Sequence, residues 1–482
     1  MTLSDIGAIL PLVVLVGWSL LLLLADLWIP AKHKGWTAIL AALGLLVSLG
    51  LALLQIGAVQ VALSGMAVVD GFGTFFNVVF LASGLVAIPL AYDYLKRMKI
   101  ERGEYYSLLL FSVAGMMLMA YAYDLIVVFL AIELLSIPLY VLAGFARPRV
   151  DSEEASLKYF LLGAFSSGFL LYGIALVFGA TAHHDLLGIT QAMAAGKGIP
   201  LLLLIGASLI LVGFGFKVAA VPFHQWAPDV YQGAPSPVTG FMSVAVKAAA
   251  VAALLRVFVT AFPGLSGQIT PVLWGLAAIT MIGGNVLAIS QSNIKRLLAY
   301  SSIANAGYLL MAFVPYGSSG QTNADVIASS LFFLVAYGLT TFGAWAVVVS
   351  LEKVEGKGLE LDDLAGLGRK YPWLALSMMI FMLSFTGVPL TMGFWGKFYL
   401  FRTAVEGGFV SLALIGLVTS LISAYYYLRV VVIMYMKAGE PEVVADRWVR
   451  LTAIAAAAAV VLLALAPGPL LHMAATAFMR LQ

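Results

Sequence analysis

Runs of about twenty apolar residues recur from one end of this 482-residue chain to the other, each long enough to cross a hydrocarbon layer of about 30 Å. Nothing else in the sequence restricts the fold so strongly. In lipid a backbone must satisfy its own hydrogen bonds, so runs of this length read as α-helices. With 62% hydrophobic and only 10% charged residues, no soluble core accounts for them. Fourteen spans are expected, near residues 6–29, 36–56, 72–92, 106–121, 124–145, 159–180, 201–222, 236–260, 271–290, 296–315, 325–350, 373–401, 408–436 and 451–472. The fourth and fifth meet at Tyr121 to Asp124. The first is too long for a signal-peptide core and has no basic segment before it, so it reads as a retained helix.

Charge placement sets the direction of the spans. Eighteen of the 26 Lys and Arg follow odd-numbered spans, from Lys32 and Lys34 after the first, through Lys295 and Arg296 after the ninth, to Lys437, Arg447 and Arg450 after the thirteenth. Lys197, Arg402 and Arg480 fall on the other side. The positive-inside rule then puts both termini on the non-cytoplasmic face.

Five basic residues remain, all inside spans: Lys217, Lys247, Arg256, Lys397 and Arg429. Glu133 is the one acid in the middle of a span. A charge there costs about 2.5–3.5 kcal/mol on insertion scales, which makes it a functional candidate by default. Lys217 lies just before Pro222. A polar turn with His224, Gln225, Trp226, Asp229, Tyr231 and Gln232 follows, and Lys247 comes about 16 Å into the next span. Glu133 is the one mid-span candidate partner for Lys217; if they pair, making or breaking the pair changes how Lys217 holds a proton. Lys247 suits a relay, with Lys397 the next station toward the opposite face; the competing reading for Lys397 is snorkelling from a helix end. His224 either bridges Lys217 and Lys247 through water or is a hydrogen-bonding structural residue. Glu154 and Lys158 read first as a surface (i, i+4) pair at the start of the sixth span. Asp229 and Tyr231 shape the turn. Arg256 and Arg429 hold their protons permanently and read as packing elements. The competing view of the whole set is a static group of buried charges that fixes helix packing.

GFKVAAVPFHQW around Pro222 and LSFTGVPLTMGFWGKF around Pro389 form a faint internal repeat. Each has a Val-Pro pair and one nearby lysine. They stand five spans apart and so cross in opposite directions, the pattern of inverted repeats with discontinuous helices. The expected fold is an all-α polytopic membrane protein of about fourteen transmembrane helices, with two inverted five-helix repeats and broken helices seven and twelve. One transmembrane domain is expected: N-terminal helices in 1–105, a first repeat in 106–260, a second in 271–436 and a last helix in 437–482.

Other chemistries have no residues to work with. The absence of cysteine excludes iron–sulfur ligation and disulfides. His33, His183, His184, His224 and His472 offer no paired haem ligands, and neither a P-loop nor a G-x-G-x-x-G after a strand is present. A net charge of +3 argues nothing for nucleic acid. No cofactor or metal is expected in the chain, and its surroundings are the lipid bilayer.

FKVAAVPFHQWAPDVYQGAPSPV, with IKRLLAYSSIANAGYLL at 294–310 and GVPLTMGFWGKFYLF at 387–401, resembles the antiporter-like subunits of respiratory complex I, the proton-pumping NADH:quinone oxidoreductase. The turn from Asp229 to Pro235 resembles the subunit N branch rather than the L and M branches or Mrp-type antiporters. The resemblance covers essentially the whole chain, including three N-terminal helices of bacterial versions. It implies a proton-translocating subunit of the membrane arm in a bacterial inner membrane. FMN, iron–sulfur clusters and quinone are then expected in partner subunits, and neighbours include L-type and M-type and small subunits. Glu133, Lys217, Lys247 and Lys397 match the family's charge axis on helices five, seven, eight and twelve. Asn305 departs from it, since relatives usually have histidine there, and it reads as supportive. The resemblance leaves two other readings: an Mrp-like cation/proton antiporter subunit, or the membrane arm of a hydrogenase or ferredoxin-dependent relative.

Overall fold

The computed structural model of the chain describes residues 3–196, 199–317, 320–444, 446–477 and 479. Lys197 and Arg480 lie outside the described residues. The principal helices are α1 (Leu10–Asp26), α2 (Gly35–Leu54), α3 (Gly71–Arg97), α4 (Glu104–Tyr121), α5 (Leu125–Ala143), α6 (Val150–Thr181), α7 (Pro200–Val218) and α8 (Trp226–Gly233). They continue with α9 (Ser236–Ala261), α10 (Ser266–Ile289), α11 (Ile294–Phe313), α12 (Gly320–Leu351), α13 (Pro372–Thr386), α14 (Met392–Glu406), α15 (Val410–Met436) and α16 (Arg447–Leu465). Among the described residues the strands are one short antiparallel hairpin, Gln60–Ala62 with Ala67–Val69.

Each of the fourteen expected stretches falls mainly on helix, with the seventh, twelfth and fourteenth interrupted. Among the described residues, eleven helical stretches are by length and composition apolar enough to cross a membrane, and α1 and α13 are shorter apolar helices. α11 falls outside both groups because it carries Lys295, Arg296, Asn305 and several hydroxyls. The fourth and fifth spans are separate: α4 stops at Tyr121, and Asp124 caps α5, accepting a 2.8 Å bond from the Ile126 amide. Such a cap satisfies one of the orphan donors of the first turn.

Burial grades from the centre outward. α9 is buried along its whole length, whereas α1, α2 and α15 leave leucines such as Leu21, Leu54 and Leu421 exposed toward what would be lipid. Lipid tails supply no hydrophobic drive between helices, so close backbone contact must hold them. Gly284 of α10 and Gly307 of α11 serve that contact. A Cβ on Gly284 would stand 2.6 Å from the Ala304 nitrogen, and one on Gly307 would stand 2.6 Å from the Met281 nitrogen.

Both expected helix breaks are present. α7 stops at Val218, Ala219 turns left-handed at φ 59°, and the chain resumes as α8. α13 stops at Thr386, Gly387 turns at φ 91°, and α14 starts at Met392. Lys217 ends the helix before its break, and Lys397 follows its own.

Candidate functional site: three buried lysines

Lys217 lies in the last turn of α7, where an ammonium group faces the negative end of the helix dipole. Its Nζ donates to Ser136 Oγ at 2.7 Å and to the Tyr140 hydroxyl at 3.5 Å, both on α5. The rings of Tyr140, Tyr159 and Phe216 surround it at 5.6–5.7 Å. Glu133 precedes Ser136 by three residues and Tyr140 by seven, so all three share one face of α5. The expected direct pair is not formed: among the described residues no ion pair joins Glu133 to Lys217. Lys217 reaches α5 one turn past Glu133. Glu133 Oε1 is buried without a hydrogen bond.

Lys247 sits in the middle of α9, just after a π-type turn over Met242–Val246, an irregularity that often marks functional positions. Its Nζ donates to Ser302 Oγ at 2.6 Å and also meets the Ser302 carbonyl. The Tyr337 hydroxyl donates to the same Ser302 Oγ at 2.9 Å, and Tyr231 shares Ser302 as a neighbour. Tyr231 therefore belongs to the lysine's surroundings as well as to the turn.

Lys397 is 6% exposed and does not snorkel. Its Nζ donates to Ser420 Oγ at 2.7 Å and to the Thr386 carbonyl at 3.1 Å. That carbonyl is one of the last in α13, so the lysine caps a helix end left open by the break. A cavity of about 10 Å³ adjoins Lys397 and is lined also by Asn305, Tyr337, Thr340 and Ser384. Thr340 and Ser384 hydrogen-bond each other at 2.8 Å. Polar side chains thus run from Lys247 through Ser302 and Tyr337 to this cavity and Lys397. Asn305 lines it while its amide is tied to the Ser301 carbonyl at 2.9 Å.

The supporting residues divide. His224 stands in the first break with Nδ1 buried and unbonded, and among the described residues no hydrogen bond links it to Lys217 or Lys247. Glu154, Lys158 and Asp229 lie apart from the lysines in a partly exposed network. Lys158 meets Glu154 and Asp229 at 2.7 Å each, and Arg296 meets Asp229 at 2.8 Å. Asp229 thereby ties α6, α8 and α11 together.

Arg256 and Arg429 act as packing elements. Arg256 forms a two-pronged pair with Asp70 at 2.8 and 2.9 Å, both side chains 1% exposed. Arg429 donates to the Ile289 carbonyl at the end of α10 and to the Gln291 carbonyl just past it. Lys295, counted with the loop cations after the ninth span, is instead part of α11. It is fully buried and donates to the Ala234 carbonyl at 2.6 Å, near the buried Glu352 held by Arg149 and Ser236.

Sequence reasoning missed the hydroxyls: Ser136, Tyr140, Ser302, Tyr337, Thr340, Ser384 and Ser420. Spacing held a partial signal, since Ser136 and Tyr140 follow Glu133 by three and seven, and Ser302 precedes Asn305 by three.

A family model described as NADH:quinone oxidoreductase/Mrp antiporter, transmembrane, matches residues 122–423. The NADH-quinone oxidoreductase subunit N of Trichlorobacter lovleyi is 45% identical over 458 residues, 95% of this chain and 92% of that protein. A chain of respiratory complex I from Thermus thermophilus superposes with a TM-score of 0.83 at 37% identity, covering 96% of this chain and 99% of the other. A chain of the Mrp complex from Dietzia superposes with a TM-score of 0.85 at 20% identity, covering 99% of this chain and 97% of the other, a likeness of fold.

Proposed function

The chain belongs to the NADH:quinone oxidoreductase/Mrp antiporter transmembrane family, and from that premise we propose that it is a proton-translocating membrane-arm subunit of an NADH:quinone oxidoreductase. It is a multi-pass membrane protein that works beside other antiporter-like subunits. In this reading the membrane is a bacterial inner membrane and both termini face the periplasm. FMN, iron–sulfur clusters and quinone reduction belong to other subunits, and this chain contributes the proton path. The two inverted repeats, 106–260 and 271–436, each contribute a broken helix to it.

One observation carries the relay: the buried lysines are held by hydroxyls and carbonyls, not by carboxylates. A hydroxyl accepts and donates in turn, so a lysine bonded to one can give up a proton and take another. A carboxylate in contact would trap the ammonium form. The contrast inside the same molecule is Arg256 with Asp70, a cation that keeps its proton on a contacting acid. A spacer whose charges only hold helices would use pairs of that second kind throughout.

Glu133 and Lys217 form the first station, Lys247 with Ser302 and Tyr337 the second, and Lys397 the third. Asn305 lines the space between the second and third. In this reading Glu133, one turn from the Lys217 contact on α5, acts on the lysine through space, so a charge change beside Glu133 alters how tightly Lys217 holds its proton. Moving one charge against 100 mV needs about 2.3 kcal/mol, which quinone chemistry elsewhere supplies.

The test is to tag this chain, purify it in mild detergent from its native membrane, and assay what travels with it. NADH–quinone oxidoreductase activity and iron–sulfur signals in the purified fraction are expected. Isolation with only hydrophobic antiporter-like partners would replace this reading with an Mrp-type antiporter. Companion hydrogenase or ferredoxin-reactive subunits would keep the proton path and change the electron donor.

A further inference from the structure

Away from the lysine row, a groove of about 320 Å³ opens between the start of α13 and the start of α16. Lys370 and Arg450 stand on its rim, and Tyr371, Trp373, Leu374 and Ile454 are among the residues that line it. Both helices begin here, at Pro372 and Arg447, and run into the apolar part of the molecule. The groove therefore has a cationic mouth at the level of the helix starts and an apolar floor along the helices. No carboxylate lines it. Outside it Glu440 meets Lys370 at 3.1 Å and is 88% exposed, and Glu442, next to the lining residue Val443, meets Lys353 at 2.7 Å and is 71% exposed; these are surface pairs of little strength.

We propose that this groove binds an anionic phospholipid, its phosphate between Lys370 and Arg450 and an acyl chain along Trp373 and Ile454. The argument is complementarity at two levels. Basic pockets between membrane helices on the cytoplasmic side take anionic headgroups, and each cation near such a surface contributes measurably. An exposed tryptophan at a helix start sits where membrane–water interfaces concentrate that residue. The assignment to the cytoplasmic leaflet rests on the orientation proposed above. The lipid preference does not, so the two can fail separately.

The chain contains no cysteine, which makes a site-specific probe clean. Ile454→Cys, labelled with a fluorophore in the full-length protein, is reconstituted into phosphatidylcholine vesicles. These are doped with nitroxide-labelled phosphatidylglycerol or, separately, nitroxide-labelled phosphatidylcholine. The anionic lipid is expected to quench at a fraction of the bilayer on the order of tenfold lower than the zwitterionic one. Adding Lys370→Gln and Arg450→Gln should bring the two curves together, with quenching by phosphatidylcholine unchanged as the sign that the fold is kept. Equal quenching by both lipids in the starting protein overturns the proposal, as does a preference that survives loss of both cations. Quenching by neither means that the groove takes no lipid, which also overturns it.

Discussion

Lys217 donates its shorter hydrogen bond, 2.7 Å, to Ser136, one helical turn past Glu133 on the same face of α5. Ser136→Ala should lower proton pumping about tenfold, in line with the loss of one hydrogen bond to a charged group. Ser136→Thr should retain most of it. Lys217→Ala and Glu133→Ala should abolish pumping while the complex still assembles. Quenching of a pH-sensitive dye in inverted vesicles measures all four. Normal pumping in both Lys217→Ala and Glu133→Ala would sink the relay.

At the second station Ser302 receives both Lys247 and Tyr337. Ser302→Ala leaves Lys247 with only the carbonyl of that residue, whereas Tyr337→Phe leaves the lysine's own bond intact. Pumping should therefore fall more in Ser302→Ala than in Tyr337→Phe, and NADH oxidation should fall with it if the two are coupled. The reverse order would place the essential hydroxyl on Tyr337.

The buried ionisable residues were legible in the sequence because Lys217, Lys247, Lys397 and Glu133 interrupt apolar runs, where their cost makes them conspicuous. The two breaks were legible from the Val-Pro pairs. The hydroxyls were not, because a serine or threonine in a membrane helix can return its donor to the carbonyl four residues back, as Ser136 does to Ile132 and Thr340 to Ala336. Such residues occur in apolar runs without any special purpose. Lys295 was misread for a different reason. It stands next to the end of a span, and only the fold brings the Ala234 carbonyl from a turn 61 residues away to cover it. The Glu133–Lys217 relationship was read at the right helices but one turn too close.

Asn305 faces the small cavity beside Lys397 with a polar, non-titrating side chain. Asn305→His should pump at close to the normal rate, because the added ring keeps a donor and an acceptor there. Asn305→Leu should slow pumping by about tenfold, since it replaces polar lining with a side chain that can neither accept nor donate. Equal rates in Asn305→Leu and the unmodified chain would remove this cavity from the path.

Asp229 joins Lys158 to Arg296 in a partly exposed network. Exposed ion pairs are worth roughly 0–1 kcal/mol, so Asp229→Asn should shift thermal unfolding by no more than a few degrees. It should leave pumping within about twofold of normal. A large loss of pumping with unchanged stability would move this network from scaffold to proton path.

Arg256 and Asp70 provide the opposite case, a buried pair that joins the middle of the molecule to the start of α3. Asp70 also caps α3 through the Gly73 amide, so its carboxylate is fixed in place whether or not the arginine is there. Arg256→Ala leaves that acid buried without its counter-charge, which should cost about 3–5 kcal/mol and sharply reduce the amount of assembled protein. Arg256→Met combined with Asp70→Asn removes both charges and keeps an oxygen on residue 70 to cap α3, so folding should recover to near the normal level. Pumping should recover along with it, because neither residue carries a proton. Recovery of assembly without recovery of pumping, measured on equal amounts of purified complex, would show that the pair serves the relay after all.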